Sequence, residues 1–350
     1  MLYIDGSYGE GGGQILRTSL SLSALLQRPI KIENIRAGRK NPGLQPQHLT
    51  AARAIARICN GKLVGDEVGS IALEFHPGQV QPGEYIFDVS EIKASAGAVN
   101  LILQTVLLPL AFAAKSSRIT LRGGTHVPWS PPANYLDEVY LPVLARMGLL
   151  TWYSVARAGY YPIGGGEIRV EIDIVNSLKN MVFTERLPGT VTCYSAVSNL
   201  PRSIAERQMN EAVICLKDSG IVPVELIEDY ESPGKGTVVF ILYDGGDLKA
   251  GFTALGERGK PAEKVAREAC KEFTSWWKSG MALDKHLADQ LIVPMALAEG
   301  ESSFTTEEIT LHLTTNIDTV RQFLPINIEI SGEHGQPGTV KIEGAGFKNP

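Results

Sequence analysis

Short strand-like runs alternate with longer helix-like runs along most of this chain, and that alternation restricts it to a mixed α/β (α+β) architecture. YIDGS, RPIKIENI, SIALEF, SRITLRG and EIRVEIDI read as strands, and residues 14–26, 47–59, 96–114 and 133–147 read as helices. The most apolar run, LILQTVLLPLAFAA, is interrupted by Gln104 and closed by Lys115. It falls short of the ~18–20 apolar residues of a membrane span and is expected to be a buried helix. YGEGGGQILR at 8–17 is echoed by YPIGGGEIRV at 161–170, which permits a core of repeated strand, turn and helix units.

After IEIDIVNSLKN the texture changes. Residues 187–281 have strands of their own, TVTCYSAV, VPVELIED and GTVVFILYD, and two helices. The second helix is expected at roughly 261–279, with Pro261 at its first position, Gly280 as its stop, and Val265, Ala266, Ala269, Cys270, Phe273 and Trp277 along one apolar face. From Leu283 the earlier style returns and ends in a strand pair around GEHGQPGTVKIEG. The reading is a small α/β domain at 187–281 inserted into a discontinuous main domain, 1–186 and 282–350.

With 350 residues, 44% of them hydrophobic, the chain is long enough for two full cores. Its net charge of −5 means that any polyanion must be met by a local cluster of cations, not by the overall field. The four cysteines are far apart with no C-x-x-C pair, which suggests neither a zinc site nor a disulfide framework. MLYIDGSYGEGGG lacks the basic start and apolar stretch of a signal peptide, so a cytoplasmic location is expected.

Four stretches could carry chemistry. If TTEEITLHLT at 305–314 is a strand, Ile309, Leu311 and Leu313 share one face and His312 lies on the polar one, with Thr315 or Asn316 capping the helix that follows. A histidine beside a helix amino terminus is well placed to attack a phosphorus, although the same parity describes a half-exposed histidine with no role. In GSYGEGGGQILR the glycines could let the backbone approach a phosphate, yet the spacing is not that of a P-loop. Gln14 and Arg17 share a helix face with Glu10 at its mouth, a set suited to a metal-bound triphosphate or merely to a solvated surface. Arg36, Arg39 and Lys40, ahead of a Pro-Gly turn with Gln47 and His48 opening the next helix, form either a local anion site usable by RNA phosphates or merely a solvated run of charge. In DKHLADQLIVPMALAEG, His286, Asp289 and Gln290 fall on one helical face. Together these favour a phosphate-handling enzyme without naming its reaction.

GEGGGQILR, IRAGR-x-x-PGL-x-x-QHL, SAGA-x-x-L-x-LQT, GGT-x-x-P-x-x-PP, GYYP-x-GGGE, L-x-DQL-x-x-PMALA and HL-x-TNI, taken in this order, resemble the RNA 3′-terminal phosphate cyclase family from residue 5 to about 325. The resemblance implies a large domain of repeated βαβαββ-type units, related in architecture to enolpyruvyl transferases, interrupted by a small thioredoxin-like domain. It implies an enzyme that uses ATP and a divalent metal, Mg²⁺ or Mn²⁺, to convert an RNA 3′-phosphate end to a 2′,3′-cyclic phosphate. His312 matches the family nucleophile, which takes AMP from ATP and passes it to the RNA end to give RNA(3′)pp(5′)A, after which the 2′-hydroxyl closes the ring. An imidazole suits the first step because its unperturbed pKa of ~6.5 leaves a lone pair free near neutral pH. Ring closure is favoured because its nucleophile is already in place.

The same resemblance puts the metal on Glu10 and the nucleotide phosphates on Gln14 and Arg17. Arg36 and Arg39 would hold RNA or nucleotide phosphate, with Gln47 and Gln104 nearby. Pro131, Tyr135, Phe252 and His286 would enclose adenosine, with Asp289 and Gln290 contacting the nucleotide. His286 stands where the family often has a tyrosine, and its flat ring keeps stacking available. RNA with a 3′-phosphate end is the implied partner, no membrane is involved, and a homodimer is left open. Two rivals share the architecture. A non-catalytic RNA-binding factor of ribosome assembly would lack the nucleophile, and an enolpyruvyl transferase would need basic residues around two small anions and no covalent histidine.

Overall fold

The structure is a computed structural model that describes residues 1–92 and 95–349. Its first unit runs β1 (Leu2–Asp5), α1 (Gly13–Leu26), β2 (Ile30–Glu33), α2 (Pro46–Ile58), β3 (Lys62–Val64) and β4 (Leu73–His76). β1 and β2 are parallel, the β3/β4 hairpin adds antiparallel to β2, and the sheet order is β1-β2-β4-β3. The second unit begins with β5 (Glu84–Asp88), α3 (Val99–Ala111) and β6 (Ser117–Gly123). A helical stretch follows, α4 (Ala133–Tyr135) and α5 (Leu141–Arg146) joined by a π-helical turn at Leu136–Tyr140, and then β7 (Thr151–Arg157) and β8 (Gly166–Ile172). Its order, β5-β6-β8-β7, repeats that of the first unit with the same parallel and antiparallel pairs.

The third unit opens with β9 (Val182–Phe183) and is then interrupted. The interruption holds β10 (Thr190–Ser198), α6 (Arg202–Asp218), β11 (Val224–Asp229), β12 (Gly236–Gly245), β13 (Leu248–Leu255) and α7 (Ala262–Ser279), in a sheet of order β11-β10-β12-β13. The third unit resumes with α8 (Lys285–Gln290), α9 (Ile292–Leu297), β14 (Glu301–Thr306), α10 (Leu311–Phe323), β15 (Ile328–Ser331) and β16 (Gly338–Glu343). Its order, β9-β14-β16-β15, is again the same. Three βαβαββ units therefore share one topology. The triple-glycine echo does not mark their register, because Gly11–Gly13 lead into α1 whereas Gly164–Gly166 lead into the second strand of a hairpin. What repeats is the order and direction of elements, not the glycines.

Side-chain pattern explains the elements. In β6, Ser117, Ile119, Leu121 and Gly123 face inward while Arg118, Thr120 and Arg122 do not, the period of a half-buried strand. α3 is buried along its length except at Gln104, the position that interrupts its apolar run. α1 packs against α2, α3 and α10, so helices of all three units meet in one core. Leu16, Leu20 and Leu22 are fully buried there, each stabilising the fold by about 1.5–3 kcal/mol. Among the described residues no helix is long and apolar enough to cross a membrane, and the four cysteines are unpaired.

In the interrupting segment β12 is buried at nearly every position. α7 presents Val265, Ala266, Ala269, Cys270 and Phe273 as its spacing suggests, but Trp276, not Trp277, is the fully buried tryptophan, and Pro261 caps the helix from outside its first turn. Arg186 joins the two ends of the segment. Its guanidinium lies 3.9 Å over the Trp276 ring and donates to the carbonyls of Trp276 and Met281 at 2.8 and 3.1 Å.

Candidate active site

The loop after β1 comes close to α10 because Gly9 permits it. Gly9 has φ +56°, and a Cβ there would collide with the Thr315 hydroxyl. Thr315 Oγ1 thereby accepts the Glu10 N–H at 3.0 Å. At Gly13 a Cβ would stand 2.5 Å from His48 Nε2 and 2.9 Å from Arg17 Nη1. The space these glycines leave is filled by neighbouring side chains. The cap of α1 is Gly12, which has no side chain to accept from the helix's first N–H groups.

His312 is not on a strand. β14 ends at Thr306, and His312 lies in the first turn of α10. Thr310 is the cap, its Oγ1 accepting the Leu313 N–H at 3.0 Å, so Thr315 and Asn316 lie inside the helix and not before it. Ile309, Leu313, Ile317 and Val320 are buried at near-helical spacing, whereas Leu311, which alternation grouped with Ile309 and Leu313, is exposed. Over seven residues the two periods were easily confused. In the helix His312, Thr315 and Asn316 share a face, three and four residues apart.

That face meets α1 and α8. His312 Nδ1 is 3.1 Å from Gln14 Oε1, and Gln14 Nε2 donates to Asp289 Oδ2 at 3.2 Å. With the amide so oriented, the imidazole proton belongs on Nδ1 and Nε2 keeps its lone pair. Nε2 lies 3.6 Å from Glu10 Oε1, an oxygen that also pairs with Arg39. Although half its side chain is open to solvent, His312 is held down to about 4 by desolvation and by the charges of Arg17, Arg39 and His286. It is therefore neutral at pH 7. Burial pushes Asp289 up to about 7 against the opposing Gln14 hydrogen bond and Arg17 charge. Desolvation lowers Arg17 to about 10, with Asp289 drawing it back up, so it remains a cation. His48 is buried behind them, held well below its ordinary value by burial and then by the charges of Arg17, Arg36 and Arg39. The cluster thus offers an uncharged nucleophilic nitrogen flanked by guanidinium groups, an arrangement able to attack phosphorus in an anionic substrate.

Among the described residues no three His, Cys, Asp or Glu side chains gather closely enough to bind a metal by themselves. Glu10 Oε2, however, is buried without a hydrogen-bond partner. A single such carboxylate fits Mg²⁺, which commonly takes one or two protein carboxylates and completes its shell with substrate phosphates and water.

The remaining expected residues divide into those near this cluster and those engaged elsewhere. Gln104 Nε2 donates to Gln290 Oε1 at 2.6 Å, and Gln290 Nε2 donates to the His286 carbonyl at 2.8 Å. Gln47 Oε1 accepts the Ala98 N–H at 3.0 Å, which secures the start of α3. Tyr135 is buried and donates to Asp284, the residue that caps α8. His286 is exposed, with Nε2 4.0 Å from Glu272. Pro131 accepts from the Asn100 side chain at 2.8 Å. The Phe252 ring packs 5.4 Å from both Phe273 and Trp276 inside the interrupting segment. Its neighbour Gly251 is the one that meets Tyr135 and Asp284, because adjacent residues of β13 face opposite sides. Arg36 Nη1 donates to the carbonyls of Asn41 and Gly43 at 2.7 and 2.8 Å, which fixes the guanidinium on its loop and leaves its other N–H groups for an anion.

Two residues that the sequence offered only as helix caps, Thr315 and Asn316, are central to its geometry. Thr315 positions the Glu10 backbone. Asn316 Nδ2 donates to the Asp289 carbonyl at 2.8 Å and its Oδ1 accepts from Thr18 Oγ1 at 2.8 Å, tying α10 to both α8 and α1. The helical spacing from His312 was the available signal, hidden by the strand assignment.

A family profile described as RNA 3′-terminal phosphate cyclase matches residues 8–330. Curated relatives named RNA 3′-terminal phosphate cyclase include one from Methylococcus capsulatus, 47% identical over 98% of this chain and 97% of its own. Another from Trichormus variabilis is 46% identical over 92% of this chain and 94% of its own. A third, from Pyrobaculum aerophilum, is 42% identical over 98% of both chains. A solved enolpyruvyl transferase from Streptomyces tendae aligns with 98% of this chain and 48% of its own, at a TM-score of 0.40 and 12% identity, and no feature of the site is carried over from it.

Proposed function

This chain belongs to the RNA 3′-terminal phosphate cyclase family, and from that premise we propose that it is an ATP-dependent enzyme that closes an RNA 3′-phosphate end to a 2′,3′-cyclic phosphate through a covalent adduct on His312. The observation that carries this reading is the Asp289–Gln14–His312 chain, which leaves Nε2 neutral and unprotonated. In the first step Nε2 attacks the α-phosphorus of ATP. An N–P bond forms, the bond from that phosphorus to the bridging oxygen breaks, and pyrophosphate leaves. A 3′-phosphate oxygen of the RNA then takes the AMP as the N–P bond breaks. The 2′-hydroxyl attacks the RNA phosphorus, AMP departs, and the hydroxyl proton is lost to solvent. The adduct conserves the activation of ATP that hydrolysis would dissipate.

Arg17 would bind the nucleotide phosphates, and Arg39 would leave Glu10 for incoming phosphate, as the stronger charge of a polyanion favours. Glu10 would hold a divalent metal beside those phosphates, and when bound this ion supplies charge neutralisation there. Residues 187–281 would be a separable inserted domain, a reading supported by strands β10–β13 pairing with one another in a closed set.

The test is conversion of a 3′-phosphate oligoribonucleotide, with ATP and Mg²⁺ or Mn²⁺, to an end resistant to phosphatase. Wild type is expected to convert it, and His312→Ala to do so at least about 10³-fold more slowly. A substrate with a 2′-deoxy end should accumulate as the adenylated species. Equal rates in wild type and His312→Ala would sink the proposal.

A further inference from the structure

The loop joining β6 to α4 is held more firmly than a loop of its length needs to be. Asn100, fully buried on α3, donates from Nδ2 to the carbonyls of Thr125 and Pro131 at 3.2 and 2.8 Å and accepts from Tyr153 at 3.1 Å. Within the loop His126 is buried, hydrogen-bonded to Thr125 and Asn134 at 2.8 Å each, and stacked on Tyr160 with centroids 5.3 Å apart. Buried polar networks of this kind rigidify what they hold.

At the tip of this rigid loop is Trp129. It is 96% exposed, and its φ of +59° is a conformation that costs a bulky residue free energy. A large aromatic ring held in water, on strained backbone, above an anchored base, has no evident use within the fold. The adjacent loop, paired to this one through a His126–Tyr160 bridge, exposes a second aromatic ring, Tyr161, and the cation Arg157 lies on the strand leading into it.

The loop also leads to the site. Trp129 and Tyr135, six residues apart, are at most about 20 Å from one another, and Tyr135 donates to Asp284, the cap of the helix α8 that carries Asp289. We propose that Trp129 is a stacking platform for a base of the RNA strand near its 3′ end, positioning the terminal phosphate at the His312 cluster. Every base has a face that stacks on indole, so a platform with a neighbouring cation suits a single strand of any sequence. This inference rests on the RNA-cyclase reading above and adds the place where the strand lies.

The experiment measures two properties of Trp129→Ala and Trp129→Phe in the full chain. Self-adenylation with ATP labelled at the α-phosphate and no RNA is expected to match wild type. Affinity for a 3′-phosphate oligoribonucleotide is expected to fall about five-fold or more in Trp129→Ala, the loss of one stack, and to be largely kept in Trp129→Phe. Replacing single nucleotides with abasic ones should abolish the Trp129 effect at one position near the 3′ end. Unchanged RNA affinity in a Trp129→Ala protein that self-adenylates would overturn this inference alone. So would a Trp129 effect on self-association of the chain with none on RNA. Trp129-dependent RNA binding in a protein that never self-adenylates would overturn the catalytic reading and uphold this one.

Discussion

Between Asp289 and His312 stands one amide, and its orientation sets which imidazole nitrogen carries the proton. As a carboxylate, Asp289 can only accept, so Gln14 turns its NH₂ toward it and its oxygen toward His312 Nδ1. Once protonated, Asp289 can donate to the Gln14 oxygen, the amide can reverse, and the imidazole proton then moves to Nε2, the attacking nitrogen. Burial pushes Asp289 up to about 7, whereas desolvation and neighbouring cations hold His312 down to about 4. Self-adenylation should therefore fall as pH drops through about 7, well before His312 itself is charged. In Asp289→Asn the carboxyl titration is gone and the acid limb should move down toward the His312 range. Single-turnover label uptake against pH measures this, and a wild-type limb near 4 would show that Asp289 does not set the tautomer.

At the scale of elements, α10 is the piece on which the site depends. Asn316 is buried and satisfies groups on α8 and α1 together, so Asn316→Ala leaves the Asp289 carbonyl and the Thr18 hydroxyl without their partner. It should destabilise the fold by about 1–3 kcal/mol in urea titration and slow adenylation by loosening Asp289. A loss too small to detect would mean that the three helices are held by apolar packing alone. This element was also the least legible. β6 could be read to the residue because seven positions alternate without interruption, and α3 could be recognised as a helix, three residues too long at each end, because its length and apolarity leave no competing period. The start of α10 could not, because Ile309 and Leu313 satisfy both periods, Leu311 adds to the strand pattern, and only the burial of Ile317 and Val320 decides between them. The environment of Phe252 was illegible for a related reason. Facing is a matter of register in β13, and sequence does not reveal which of Gly251 and Phe252 points toward Tyr135.

For the molecule as a whole, the cluster joins the first unit to the third. Glu10, Gln14, Arg17 and Arg39 come from one end of the chain and Asp289 and His312 from the other, so the arrangement exists only when the three-unit body is assembled. The break in texture at 187–281 was visible because the segment forms its own sheet, whereas the number and register of the repeated units were hidden because topology, not sequence, is what recurs. A net charge of −5 is consistent with a strand guided by local cations such as Arg39 and Arg157 and not by a general field. The most direct test of the central claim is the chemistry of the His312 adduct. Wild-type protein incubated with ATP labelled at the α-phosphate and Mg²⁺ or Mn²⁺, then digested, should carry label on the peptide containing His312, removed by acid and stable to alkali, with none in His312→Ala. Label on another residue, or an alkali-labile and acid-stable bond, would contradict it.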